Sequence, residues 1–445
     1  MKKVKKGFVL LLILLSTTFV CFANGTDEKA SGKGTSATQK PIAPLKLAGW
    51  SYEVDTVDAN LKVFTEQTGI SADSFYSFPS NQFHDKMVTS FIGGAGYDVI
   101  YVRDSYLAEW ASAGWIIPVD GFADTASIKA NLSQGAIDQM TYDGKLYGLP
   151  YYAGRRVFAY NEDHLKKAGF NTPPQTWDEM FAQAKVIKEK GISEYPIILD
   201  LAKCANIVEQ IETMVFSYGG RLFDANNKPV FATSDGTLKK VLQDIKDNMG
   251  VLIDPASLVA TDHEVVRALS AGTRTFSTCT DYNLKTVNDP ASSQVAGQVK
   301  MGLIPGSAKV KSGSIGNIRL YCISSSCKNP QAAWELVKFL GYKDKNGEYF
   351  VPKKWALDFG LGFVQTELFD DKDIQASINS WGDTEVMKQQ DDYVVSRPYR
   401  FTPWFEEWQT QAWEDLQKAI MGDVTIDATL QKMAKSANDL MQQYK

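Results

Sequence analysis

Short apolar strand patterns alternate with amphipathic helix patterns along most of this chain, which predicts an α/β fold on a largely parallel sheet. A second observation concerns size. After removal of a leader the chain runs to about 420 residues, long for one core and suited to two lobes of ordinary domain size. A third is punctuation: glycines repeatedly close the helical stretches, and short apolar runs follow them.

The first element is not part of the fold. Lys2, Lys3, Lys5 and Lys6 precede an apolar run of 14 residues, 7–20, too short to span a bilayer and of the length of an export signal. Cys21-Phe22-Ala23 places small residues three before and just before a cut after Ala23. Lipidation at Cys21 is the alternative, although Thr18-Phe19-Val20 lacks the small residues usual before such a cysteine. Exported, periplasmic or extracellular residence follows. Residues 24–44 are rich in Gly, Ser, Thr and Lys and read as a flexible tether. Losing residues 1–23 removes four lysines and no acid, so the net charge moves from −5 to −9, without the basic footprint of a nucleic-acid or anionic-membrane binder.

From there the elements follow in order. Residues 46–50 form a short strand. Residues 55–68 form a helix with Leu61, Phe64 and Thr65 on one face and Gly69 as its stop. A strand near Phe75, a helix over 85–92, a buried strand over 97–102, a helix over 106–113 and a strand over 115–118 complete the first run. Residues 145–161 read as a strand carrying two arginines among apolar and aromatic residues; Asn161 or Asp163 caps the next helix, Gly169 ends it, and Thr176 opens another with acids in its first turn. Further helices are expected over 178–190, 205–218, 234–248, 263–270 and 330–340, strands over 194–200 and 275–279, and mostly helix over 403–444. Trp110, Trp115, Trp177 and Trp334 lie in patterned elements and are expected in the core.

The stretch 143–179, DGKLYGLPYYAGRRVFAYNEDHLKKAGFNTPPQTWDE, resembles the first interlobe crossing of the solute-binding proteins of ABC importers, the family-1, maltose-binding-protein-like class. YDVIYVRDSYLAEWASAGWIIPVD (97–120) and the Pro-Gly loop, Gly-rich strand and helix over 301–340 resemble further parts of that class, and the resemblance covers residues 45–445. It implies a two-lobed periplasmic-binding-protein fold of type II. Each lobe would be a mainly parallel sheet flanked by helices, 45–153 plus 320–362 and 154–319 plus 363–445, with a hinge near Gly154, Arg319 and Gly362. It also implies a monomer that delivers its solute to the permease subunits of a membrane importer.

In two-lobed α/β binders the ligand sits in the cleft lined by loops at the carboxyl ends of strands. Residues just after the strands are therefore the candidates: Trp50 and Tyr52; Arg103 and Asp104; Tyr151, Tyr152 and Arg155; Tyr282; Asn317 and Arg319; and, late in the chain, Trp381, Arg400 and Trp404. Arg156 matches a family arginine expected to make a structural ion pair. Aromatic faces stack on the C–H face of a sugar, and charged groups bond its hydroxyls. A saccharide is thus the expected solute, with a polyol, a glycerol phosphate or an acidic sugar as the alternative. No nucleophile elbow, zinc helix or phosphate loop occurs. His84, His164 and His263 are scattered, so neither a metal nor another cofactor is expected, and a secreted glycoside hydrolase is the remaining enzyme alternative. Cys204, Cys279, Cys322 and Cys327 allow three pairings or none.

Overall fold

The computed structural model describes residues 43–75, 82–94, 96–233 and 235–444. The expected export signal, Cys21 and all but residues 43 and 44 of the tether lie outside the described residues, as does Ser234, the expected start of one helix.

Ten strands are described: β1 (Leu45–Ala48), β2 (Ala72–Phe75), β3 (Val99–Arg103), β4 (Ile116–Ile117), β5 (Thr141–Tyr142), β6 (Lys145–Leu146), β7 (Gly148–Asn161), β8 (Phe276–Thr280), β9 (Val299–Gly302) and β10 (Gly316–Ser324). The main sheet runs β2-β1-β3-β10-β7-β8, with β4 on β10 and β9 on β7. β1 pairs in parallel with β2 and β3, each ladder bridged by a helix, as βαβ units require. The expected mainly parallel order stops there. β10 runs antiparallel to β3, β4 and β7, and β7 runs antiparallel to β8 and β9, so the sheet is mixed. The reason is topological: β10 enters the sheet between β3 and β7 from a distant part of the chain, outside any βαβ unit.

β7 joins the two halves of the molecule. Its first part pairs with β10, from Gly148↔Cys322 to Arg155↔Gly316. Its second part pairs with β8, from Arg156↔Thr280 to Tyr160↔Phe276, and with β9. At Gly154, beside this change of partners, a Cβ would sit 2.7 Å from Thr280 Cγ2, so a larger residue must push that methyl aside. Gly362 lies against the same strand. It accepts from Ala153 N at 3.0 Å, and a Cβ there would lie 2.3 Å from the Ala153 oxygen.

The helices start and stop as their sequences dictate. Asn161 accepts from His164 N at 3.0 Å, capping Glu162–Ala168, which ends at Gly169 with φ +91°. Thr176 accepts from Glu179 N, and Glu179 Oε2 accepts from Gln175 N at 2.7 Å, opening Trp177–Glu189. The strand expected over 194–200 is instead an extended segment with isolated bridges from Ile197 to Ile253 and Phe276. Pro196 lacks the N–H that a ladder needs, so its carbonyl serves Thr275 and Phe276 and no longer run forms.

The buried apolar side chains form two cores. One gathers Val99, Ile100, Trp110, Leu320, Trp334 and Trp355, and Val265, Leu284 and Trp381 join it. The other gathers Phe158, Trp177, Met214, Leu242, Phe276 and Trp408. Trp115 is half-buried and packs against the first core. Cys204, Cys279, Cys322 and Cys327 are free thiols. Among the described residues no helix is long and apolar enough to cross a membrane, and no cluster of His, Cys, Asp and Glu could hold a metal ion.

Candidate functional site

Strand alternation builds the site. Tyr152, Gly154 and Arg156 share one face of β7, Asn317 and Arg319 one face of β10, and Tyr101 and Arg103 one face of β3. All seven line one cavity, whose atom-free volume is about 720 Å³ counted out to its mouth. Trp50 enters from the loop after β1, Thr280 and Tyr282 from the end of β8, and Asn206 and Glu209 from the first turns of Ala205–Ser217. Asp262 begins the helix Asp262–Ser270, and Phe83 and Tyr106 complete the wall.

Aromatic rings make one part of that wall rigid. Trp50 stacks on Tyr52 with centroids 5.1 Å apart and planes within 7°, and on Tyr101 at 5.8 Å. Tyr152 meets Tyr282 edge to face at 5.9 Å. Burial raises the pKa of Tyr101, Tyr152 and Tyr282, so at neutral pH their hydroxyls keep their protons and can both donate and accept.

Ion pairs make the other part. Arg103 donates to Glu209 Oε1 at 3.1 Å, and Arg400, which is fully buried, donates to the same oxygen at 3.1 Å and to Asp104 Oδ1 at 2.9 Å. Arg319 donates to Asp104 Oδ1 at 3.3 Å. Burial works against the charges on Asp104 and Glu209. Arg400 with Arg319 for the former, and Arg400 with Arg103 for the latter, outweigh it, holding Asp104 well below the carboxylate range and Glu209 at about 2. Arg156 is bidentate to Asp200 at 3.0 and 2.5 Å and also donates to Gln210 and the Thr278 carbonyl, so it keeps an ion pair while bordering the cavity.

Flat rings, fixed donors and a few carboxylates converge on one space. The model of the bacterial extracellular solute-binding protein family matches residues 48–345. The chain belongs to that family. A binding protein of Brucella abortus (strain 2308) is 25% identical over 292 residues, 64% of this chain and 67% of that one. The mannitol-binding protein of Pseudomonas aeruginosa is 27% identical over 184 residues, covering 41% of this chain and 42% of its own. Among solved structures, maltose-bound T. maritima MalE3 superposes with a TM-score of 0.80 at 19% identity, over 89% of this chain and 99% of that one. The fold is the two-lobed, type II α/β fold of periplasmic binding proteins.

In this solute-binding protein six of the expected site residues come together at the cavity: Trp50, Arg103, Tyr152, Tyr282, Asn317 and Arg319. Seven do not line it. Tyr52 backs Trp50, and Tyr151 is buried among Tyr101, Tyr321 and Trp355. Asp104 and Arg400 pair with each other, and with Arg319 and Glu209 respectively, beneath the wall. Arg155 points to the opposite face of β7 from Arg156, where it pairs with Asp281 at 2.9 Å and with Asp391. Burial lifts the Asp281 carboxyl to about 6 against the pull of Arg155. Trp381 packs under Gly360, and Trp404 packs on Phe223 at 5.6 Å in the second core. Arg156 makes the ion pair expected of it and also lines the cavity, and Asn206, Glu209 and Asp262 line it without having been expected there. The period of two from Tyr152 leads to Arg156; Asn206 and Asp262 lie in the first turns of helices and Glu209 in a second turn, and no local pattern marks them as cavity-facing.

Proposed function

We propose that this protein captures a saccharide or polyol between its two lobes, closes on it, and presents the closed form to the permease of an ABC importer. One observation carries the reading: a single cavity draws its aromatic faces and its hydroxyl-bonding groups from strands and helices of both halves, so the site is complete only when they meet. A solute stabilises the closed arrangement through contacts the open one lacks. The mannitol and maltose named for the relatives support a polyhydroxylated solute.

The lobes we propose are 45–153 plus 320–362 and 154–319 plus 363–445. The switch of β7 partners between Arg155 and Arg156, and the Gly362 contact with Ala153, support a hinge there. The chain would act as an exported monomer without enzymatic activity, freed by a cut after Ala23 or anchored through Cys21.

Thermal-shift screening against neutral saccharides, polyols, sugar acids and amino acids tests this. A ligand at 100 times its Kd adds about 2.7 kcal/mol to stability. A shift with amino acids and none with any saccharide or polyol would sink the reading. Incubation with oligosaccharides should release no products.

A further inference from the structure

Arg103 and Arg319 are direct register partners on the antiparallel strands β3 and β10, and both line the cavity. Side chains of opposed residues begin about 5 Å apart, and like charges placed so are destabilising. The surroundings do not neutralise the pair. Arg103, Arg319 and Arg400 share two carboxylates, Asp104 and Glu209. Arg319 has the weakest share: its contact to Asp104 is 3.3 Å, its other bond goes to the Ile318 carbonyl, and its Nε is buried without a partner. Arg103 Nε is likewise buried and unpartnered. The neighbouring carboxylates supply no relief, since Glu212 is matched to Arg397 and Asp200 to Arg156. Glu406 accepts from Gln409 and makes no ion pair with these arginines.

Asp262 completes the picture. It lines the same cavity near Tyr152 and Tyr282, is half-buried, and makes no side-chain hydrogen bond or ion pair with the described residues. The cavity therefore offers an under-shared pair of guanidiniums and an unshared carboxylate, with aromatic rings between its walls. Paired guanidinium forks match a carboxylate, and a free carboxylate accepts from hydroxyls. Around the two guanidiniums there is one positive charge beyond Asp104 and Glu209, which matches a monoanion with Asp262 left to accept from its hydroxyls; a phosphate dianion would face both Glu209 and Asp262.

We propose that Arg103 and Arg319 form a carboxylate clamp and that the solute is an acidic saccharide, a uronate or a short oligosaccharide bearing one. This rests on the saccharide reading above. Calorimetric titration with D-galacturonate, D-glucuronate and trigalacturonate, against galactose, glucose, the methyl ester of galacturonate, glycerol 3-phosphate and L-glutamate, tests it on the full mature chain. A charged hydrogen-bonded contact corresponds to roughly a ten- to hundredfold change in affinity. A uronate should bind at least tenfold tighter than its neutral parent and its methyl ester, and Arg319→Gln should erase that preference. The methyl ester needs no variant, so a misfolded Arg319→Gln leaves the test standing. If neutral sugars or polyols bind and the uronates bind no better, the clamp is overturned and the saccharide reading survives. If only glutamate or glycerol 3-phosphate binds, both are overturned. Failure of all three uronates to bind overturns the clamp whatever else binds.

Discussion

Glu209 offers a sharp test of how the site is held. It is 6% exposed, stands in the second turn of Ala205–Ser217, and accepts from Arg103 on β3 and from Arg400, each at 3.1 Å. Glu209→Gln keeps the shape and removes the charge, leaving three arginines around Asp104 alone. The magnitude follows from the titration. A carboxylate whose pKa falls from 4.5 to about 2 on folding contributes roughly 3 kcal/mol, at about 1.4 kcal/mol per tenfold change in proton affinity. Breaking buried pairs costs about 3–5 kcal/mol, in agreement. The sign is set by the depressed pKa. The contribution is fully present above about 4.5 and is lost as pH falls toward 2. Urea unfolding of the wild type and Glu209→Gln should therefore show a gap of about 3 kcal/mol at pH 7 that shrinks below pH 4 to about 1 kcal/mol at pH 2.5. A gap below about 1 kcal/mol at pH 7, or one unchanged between pH 7 and pH 3, would mean that the ion cluster is solvated and the reasoning fails.

Three further outcomes are expected. Gly154→Ala should push on Thr280 Cγ2, 2.7 Å from the new Cβ, and cost about 1–3 kcal/mol with weaker solute binding; adding Thr280→Ser, which removes that methyl, should restore most of both in the same urea and calorimetric measurements. Arg156→Met should lower stability by about 3–5 kcal/mol, because Asp200 is left buried without its partner, whereas Arg156→Met with Asp200→Leu should recover a large part of it in a double-mutant cycle. Trp177→Phe should lose about 2–3 kcal/mol in urea unfolding, from the buried bond of its Nε1 to Ser217 Oγ at 2.7 Å and the unfilled volume of the indole.

Local chemistry was legible where it acts locally. Asn161, Gly169 and Thr176 mark helix ends because capping needs residues within one turn of each other. Position near the end of a strand brought Tyr152 into the candidate set together with Tyr151; alternation along β7 from Tyr152 leads to Arg156 rather than Arg155 at the cavity. The ion cluster was not legible, because Asp104 meets Arg400 across 296 positions of sequence and Glu209 meets Arg400 across 191. Asp104, Arg400 and Trp404 have the residue types of ligand groups, and only tertiary packing assigns them to the interior. The mixed strand order escaped for a related reason: a run of apolar residues carries no sign of its direction.

The lateness of β10 has a consequence for how the molecule comes into being. This strand lies at the middle of the sheet, between β3 and β7, yet its Ile318 bonds a residue 214 positions earlier. Until it arrives, the strands made first have an open edge and cannot bury their apolar faces. Closing so long a loop costs entropy before any contact offsets it, so folding should be slow and should await most of the chain. A truncation that ends before Gly316 should leave an aggregating fragment rather than a smaller folded lobe.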